Sequence, residues 1–154
     1  MHAIRIIEIP DCKMVSSGVG MFGEETFDRF HEWFSALPPT MYPKNFLFYE
    51  EEGGKFKGMH WLYMYDEGMD VPAEFDIIDF KGGLYSVATD IDGRTDVAAM
   101  NASRDEFLAA NGFELDGDRR ELGNIITPPN AEKVMGYNQM DYYTPIQVLK
   151  PKRG

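Results

Sequence analysis

Three aromatic side chains at alternate positions of one segment are the first residues that suggest a binding surface. Trp61, Tyr63 and Tyr65 share one side of residues 57–65 when that run, KGMHWLYMY, is extended. A row of flat rings stacks on planar or cationic organic molecules, at about 0.5–2 kcal/mol for each favourable contact. Packing against a helix or another sheet is the competing interpretation, and we expect it to hold for at least one of the three.

Three further tyrosines extend this set of candidate ligand-binding residues. Tyr49, Tyr85 and Tyr143 lie on other predicted strands. A buried phenol hydroxyl needs a hydrogen-bond partner, and a ligand or a water molecule can supply it. We therefore expect these tyrosines to converge on the same ligand as Trp61.

Other kinds of chemistry have no recognisable pattern in the chain. The three histidines are scattered, so we predict no metal site. No Ser-His-Asp arrangement and no glycine-rich phosphate loop can be placed, and we predict no cofactor. The single cysteine, Cys12, rules out an internal disulfide and suits a reducing cytoplasm, and the adjacent Asp11 disfavours its thiolate.

The charge balance restricts the partners. The net charge is −11 with no basic stripe, which argues against direct DNA binding and favours cationic ligands. No apolar stretch approaches the ~20 residues needed to cross a bilayer, and the N-terminus lacks the apolar core of a signal peptide. These features predict a cytoplasmic protein that does not enter a membrane.

One amphipathic helix is predicted between residues 24 and 37. Apolar residues recur there at spacings of three and four, which gives the helix one buried face; they are Phe27, Phe30, Phe34 and Leu37. The acidic residues near its start suit the helix dipole, and Pro38 ends it.

Strand patterns surround this helix. Residues 3–9 and 13–19 predict one strand that bends at Pro10 rather than two independent strands. Residues 45–51 and 57–65 predict a hairpin around the Gly53–Gly54 pair.

The same order of elements returns after the acidic turn at residues 66–74. Strands are predicted at 75–80 interrupted before 84–89, a helix at 95–111, and strands at 119–127 and 137–146. Ser103 and Glu106 have capping-box spacing, which leaves open a restart within the helix. We predict one domain over residues 1–154, with an internal repeat at approximately 1–70 and 71–150.

Three strings in the second half carry a resemblance to a known family. They are KGGLYSVATDIDG at 81–93, NGFELDGDRRELG at 111–123 and DYYTPI at 141–146. With the repeated element order, they resemble the gyrase-inhibitor-like (GyrI-like) small-molecule-binding family, which also forms the effector-binding half of AraC-type and MerR-type multidrug-responsive regulators. The resemblance implies an α+β fold of two pseudo-symmetric strand-helix-strand-strand modules that form antiparallel sheet, with a ligand cleft between them.

The resemblance also places the family's acidic ligand residue at Glu121. In an apolar cleft, desolvation raises the pKa of a carboxyl group, which suits acid–base chemistry or pairing with a cationic ligand. The alternative is a surface glutamate paired with Arg119 or Arg120. The family usually has an aromatic residue soon after this acid, whereas Leu122 and Gly123 follow it here.

Three functions follow from these observations. The leading hypothesis is a stand-alone binding protein for hydrophobic, cationic or planar organic ligands. The second is a hydrolase of strained electrophilic natural products of the cyclopropanoid type, with Glu121 orienting a water and Tyr63 or Tyr143 protonating an oxyanion. The third is a protein-interaction module that acts on DNA gyrase or on a regulator without an effector domain; a homodimer stays open.

Overall fold

The computed structural model of this chain describes residues 2–128 and 131–150, which form two compact units. The nested unit is Asp11–Lys81, and the split unit combines Met1–Pro10 with Gly82–Gly154. Within each unit, antiparallel strands carry at least one helix, so the predicted α+β class is confirmed. The units are offset by about ten residues from the halves expected at 1–70 and 71–150.

The helices and strands of the described residues have the following bounds in chain order: β1 Arg5–Ile9, β2 Cys12–Gly20, α1 Glu25–Ser35, β3 Asn45–Glu52, β4 Lys55–Met64, β5 Asp76–Phe80, β6 Gly83–Ile91, α2 Val97–Asn111, β7 Phe113–Leu115, β8 Leu122–Ile125, α3 Ala131–Met135 and β9 Gln139–Val148.

In the nested unit, the strand order is β3-β4-β2-β5 and every pair is antiparallel. The helix α1 covers one face of this sheet, as its aromatic spacing predicts. Its Phe27 and Phe30 are almost fully buried. They pack against side chains that point the same way from three strands, namely Val15, Leu47, Met59, Trp61 and Tyr63. The unit therefore has its own aromatic core.

In the split unit, the strand order is β1-β6-β9-β8, again antiparallel. The short strand β7 pairs with the end of β9 beyond β8. The helix α2 lies on the sheet face that carries Ser86 and Tyr142, since these residues and Met100 of the helix line one small cavity. The other face of this sheet points away from α2.

The prediction of one bent strand through Pro10 is wrong. The strand β1 pairs with β6, whereas β2 pairs with β4 and β5, so the two are independent. Pro10 has no backbone N–H to continue a ladder. The backbone at Gly82 also lies very close to the end of β1. A Cβ on residue 82 would be 2.0 Å from the carbonyl oxygen of Ile9.

The second helix is continuous, without the restart considered at Ser103. It ends at Asn111, and the next residue, Gly112, has a φ of 77°, the left-handed conformation that glycine adopts readily. Of the strand predicted at 119–127, only Leu122–Ile125 is extended. The sequence reasoning missed β7 and α3.

Candidate functional site

The candidate site is the face of the split unit's sheet that points away from α2, formed by alternate residues of neighbouring strands. Since Ser86 and Tyr142 face α2, the residues next to them in sequence point the other way. Strand register sets Val87 opposite Tyr143, and Thr89 opposite Asp141. The residues concerned are Arg5, Tyr85, Val87, Thr89, Leu122, Asn124, Asp141 and Tyr143, which we call the split-unit face.

Two of the predicted ligand tyrosines meet on this face. The rings of Tyr85 and Tyr143 have centroids 6.2 Å apart and planes inclined at 72°, an edge-to-face arrangement. Both side chains are almost fully buried. The guanidinium carbon of Arg119 lies 4.7 Å from the centroid of the Tyr85 ring. The tyrosine pair therefore has a fixed cation at one end.

A buried carboxylate lies at the other end. Asp141 is two residues from Tyr143 on β9, and its side chain is 7% exposed. Its Oδ2 accepts a hydrogen bond of 2.8 Å from Nη2 of Arg5. Its Oδ1 accepts a short hydrogen bond of 2.5 Å from the Thr89 hydroxyl. Both oxygens are thus engaged, as a buried carboxylate requires.

The phenol of Tyr143 stays protonated in this environment. Burial, followed by the negative charge of Asp141, raises its pKa to about 12, against a smaller opposing effect of Arg5. The Tyr143 hydroxyl therefore keeps its proton, and can donate a hydrogen bond, throughout the physiological pH range.

Arg119 acts as a clamp at the Tyr85 end. Its Nη2 donates to the carbonyl oxygens of Leu84 and Ile146, and its Nε donates to Asp116 at 2.7 Å. This guanidinium lies against Gly83, where a Cβ would come within 2.6 Å of Nη1. The carboxylate bound to Arg119 thus belongs to Asp116, not to Glu121.

Glu121 itself is exposed and lies immediately before β8. The next residue, Leu122, is buried and is paired with Tyr143 in the strand register. The backbone of Glu121 is therefore near this tyrosine, while its side chain is open to solvent. Its predicted role as the ligand carboxylate stays a prediction.

The predicted aromatic row of β4 lies under α1 in the nested unit. Trp61 and Tyr63 are 7% and 6% exposed. The Trp61 indole donates to Oδ1 of Asn45 at 3.2 Å, and the Tyr63 ring stacks on Phe34 at 5.3 Å. Tyr65 is partly buried against the same core. These three side chains therefore pack in the core under α1, as the packing interpretation expects. Their part in ligand binding stays a prediction.

Tyr49 has a different environment, since 65% of it is exposed. Its ring meets the edge of Phe56 across the hairpin, with centroids 5.8 Å apart. The predicted residues thus form three groups: a tyrosine pair on the split-unit face, a buried row under α1 and two exposed side chains.

The environment of Cys12 agrees with the sequence argument, because burial and then the charge of Asp11 raise the pKa of its thiol.

Over residues 2–128 and 131–150, no three His, Cys, Asp or Glu side chains are grouped as a metal site would need. In that same part of the chain, no helix is long and apolar enough to span a membrane.

Sequence reasoning missed Asp141, although its pattern contained a signal. Asp141 alternates with Tyr143 in the predicted strand 137–146, so the two side chains share one side of it. An acid in such a position points inward with its aromatic neighbour, so it must be paired. The partners Arg5 and Thr89 are far away in sequence and become visible only from strand register.

Comparisons with known proteins give the fold an independent test. No protein-family model and no curated protein sequence matches the chain. The C-terminal domain of EcmrR has the same fold, with a TM-score of 0.58 at 14% identity over 97% of this chain and 99% of that one. A hydrolase from Listeria innocua gives 0.63 at 12% identity, over 94% and 91%.

A longer EcmrR chain, solved in a complex with DNA, also matches with a TM-score of 0.61 at 13% identity. That match covers 96% of this chain and 58% of the EcmrR chain, so the chain spans little more than half the length of that protein. These likenesses confirm the GyrI-like fold that the sequence resemblance predicted.

Proposed function

We propose that this chain is a small-molecule-binding domain, and that its ligand is an organic cation with a planar ring system. The observation that supports the proposal is Asp141, a buried carboxylate two residues from Tyr143, whose buried ring meets that of Tyr85, and paired with an arginine at the surface. Carboxylate and aromatic faces are the groups that bind organic cations best in proteins. The net charge of −11 adds a long-range attraction for such ligands.

In this proposal, the ligand's positive group takes the place of the Arg5 guanidinium on Asp141. The Arg5 side chain is 56% exposed, so its release into water costs little. Asp141 keeps a cationic partner throughout, because an unpaired buried carboxylate would be strongly unfavourable. Tyr143 and Tyr85 then lie beside the ligand's ring.

The residues predicted from sequence belong to this proposal as additional contacts. Glu121 is the second carboxylate, with Trp61, Tyr63, Tyr65 and Tyr49 as the predicted aromatic contacts. The lone cysteine favours a reducing cytoplasmic setting.

Two dyes that share a xanthene ring system but differ in charge test the proposal. We expect the cation rhodamine 6G to bind and to raise the melting temperature, and the anion fluorescein to do neither. Fluorescence anisotropy measures both affinities. Loss of the charge-assisted contact in Asp141→Asn should weaken rhodamine binding about tenfold or more, since such contacts contribute about 1.5–3 kcal/mol.

The matched variants separate a specific site from general acidity. Arg5→Gln removes the competing guanidinium and should strengthen rhodamine binding. Asp90→Asn removes a carboxylate from the opposite face of the neighbouring strand β6, where it pairs with His2, and should leave binding unchanged. Equal affinity of wild type and Asp141→Asn, with folding intact, would reject the proposal.

A hydrolase is the second candidate, favoured by the protonated state of Tyr143. A phenol with a pKa near 12 can donate to a developing oxyanion, and Glu121 would orient the attacking water. The fold is shared with a Listeria innocua protein described as a hydrolase. Turnover of a cyclopropane-bearing compound should fall in Glu121→Gln and Tyr143→Phe; an unchanged rate in Glu121→Gln would exclude this mechanism.

A further inference from the structure

A histidine and a glutamate form a hydrogen-bonded pair on the face of the nested unit that points away from α1. Nε2 of His60 on β4 lies 2.6 Å from Oε2 of Glu50 on β3. The two side chains are 19% and 37% exposed, so solvent reaches the pair. Trp61, the next residue of β4, packs toward α1, which places His60 on the opposite face.

The hairpin register explains why the two side chains meet. Phe48 is directly opposite His60, and Glu50 is directly opposite Gly58. Since Gly58 has no side chain, the Glu50 carboxylate can lean across that position to the imidazole. A Cβ at Gly58 would lie 2.8 Å from Cγ1 of Val19, so this position has no room for one.

An aromatic ring orients the imidazole from the side. The rings of Phe48 and His60 are nearly parallel, at 11°, with centroids 4.4 Å apart. Val19 is the neighbour of His60 on the other adjoining strand, and 49% of it is exposed. The imidazole thus stands in an apolar row between Phe48 and Val19 with one polar contact at its tip.

The hydrogen bond decides which ring nitrogen holds the proton. An ionised carboxylate accepts only, so Nε2 of the neutral imidazole must donate its hydrogen to Glu50. The lone pair of the ring is then on Nδ1, while the hydrogen bond to Glu50 is made by Nε2.

We propose that Glu50 and His60 form a second ligand site, which accepts a proton from an aromatic molecule with an acidic O–H. The ring of the ligand packs in the apolar row beside Phe48, and its hydroxyl points at Nδ1. On binding, the O–H bond breaks and the proton moves to Nδ1, while the electron pair stays on the ligand oxygen. The products are a phenolate and an imidazolium bound to Glu50, with no net change in charge.

This site differs from the one around Asp141 in place and in chemistry. It lies in the nested unit, and it takes a neutral, weakly acidic phenol rather than a cation. The two proposals therefore stand or fall separately.

The probe 4-nitrophenol tests the inference, because its phenolate absorbs near 400 nm and its phenol does not. At a pH about one unit below the pKa of free nitrophenol, wild-type protein should increase the phenolate band in a saturable way. His60→Phe and His60→Gln should abolish the increase, and Glu50→Gln should weaken binding at least fivefold. Near-UV circular dichroism verifies that each variant is folded.

Two matched controls make the result specific. His31→Gln removes a histidine that stacks on Trp61 on the helix side of the sheet, and it should keep the full signal. Asp141→Asn should also keep the full signal, although it weakens rhodamine binding. An unchanged band in both His60 variants, or no saturable band with wild type, would overturn the inference. So would ¹⁵N spectra that show the His60 proton on Nδ1 rather than on Nε2.

Discussion

Tyr143 and Asp141 project from the same face of β9, and the carboxylate of one helps to keep the phenol of the other protonated. Burial is the larger cause of the raised pKa, and the neighbouring negative charge adds to it. This relationship places a hydrogen-bond donor beside a carboxylate that is paired with the Arg5 guanidinium.

The folded protein should therefore lose stability at high pH through Tyr143. Its folded pKa of about 12 is above the unfolded value of about 10. The resulting stabilisation is fully present below pH 10 and disappears as the pH rises toward 12, by at most about 3 kcal/mol. Urea unfolding of wild type and Tyr143→Phe between pH 9 and 12 measures it; a wild-type decline no steeper than that of the variant would contradict the assignment.

Asp141→Asn should lower the pKa of Tyr143, because it removes a negative charge that disfavours the phenolate. Ultraviolet absorbance at 295 nm during an alkaline titration follows the change, with Tyr143→Phe identifying the relevant step. An unaltered last titration step in Asp141→Asn would show that burial alone sets the value.

Phe30→Ala should destabilise the nested unit by about 3–5 kcal/mol, since it leaves a cavity in an aromatic cluster. Phe30 has no exposed surface. Its ring lies 5.0–6.0 Å from four others, those of Trp33, Phe34, Trp61 and Phe75. Phe22→Ala is the control, because 48% of Phe22 is exposed. In chemical denaturation, the free energy of unfolding should fall clearly less for Phe22→Ala than for Phe30→Ala. Equal decreases would mean that α1 is not the centre of this core.

Gly82→Ala should cost at least about 2 kcal/mol, because its Cβ would collide with backbone rather than with a movable side chain. The nearest atoms would be the Ile9 oxygen at 2.0 Å and the Pro10 carbonyl carbon at 2.4 Å. Amide hydrogen exchange should also speed up in β1. Gly117→Ala meets no atom within 4 Å and should change stability by less than about 0.5 kcal/mol. Comparable stability of the two variants would contradict the close approach at Gly82.

Arg119→Met should destabilise the split unit by about 3–5 kcal/mol, because it leaves Asp116 and two carbonyl oxygens without their donor. The Arg119 side chain is only 5% exposed. Arg29 also contacts two carboxylates, those of Glu25 and Glu74, but at the surface. Arg29→Met should therefore lower the stability clearly less than Arg119→Met does. If Arg119→Met lowers the melting temperature only slightly, the hydrogen bonds of Arg119 are not needed for the stability of the split unit.

Local patterns predicted much of the fold correctly. The spacing of Phe27, Phe30 and Phe34 specified both α1 and its buried face, because a helix places such residues on one side. The Gly53–Gly54 pair specified the hairpin of β3 and β4, since both glycines have positive φ there. These features depend on residues close together in the chain.

The remaining features depend on register and on distant partners. Nothing near Pro10 reveals that β1 pairs with β6, because that partner lies more than seventy residues away. The contact of Glu50 with His60 requires a bulge between Glu50 and Glu51, and one residue of slip would separate them. The Arg5–Asp141 pair joins the two ends of the chain. Such contacts are tertiary, and a single sequence does not encode them in any local pattern.

Residues Asp11–Lys81 interrupt the split unit along the sequence, and this order has a consequence for synthesis on the ribosome. The pairs Cys12 with Phe80 and Lys13 with Asp79 bring the two ends of the nested unit together. All strands and the helix of this unit have emerged once β5 has, while β1 still waits for its partner β6. Once folded, it holds the residues that flank it close together, so β1 and β6 pair as if across a short turn and avoid most of the entropy cost of a long loop. The order of emergence from the ribosome thus favours the correct pairing of the first strand.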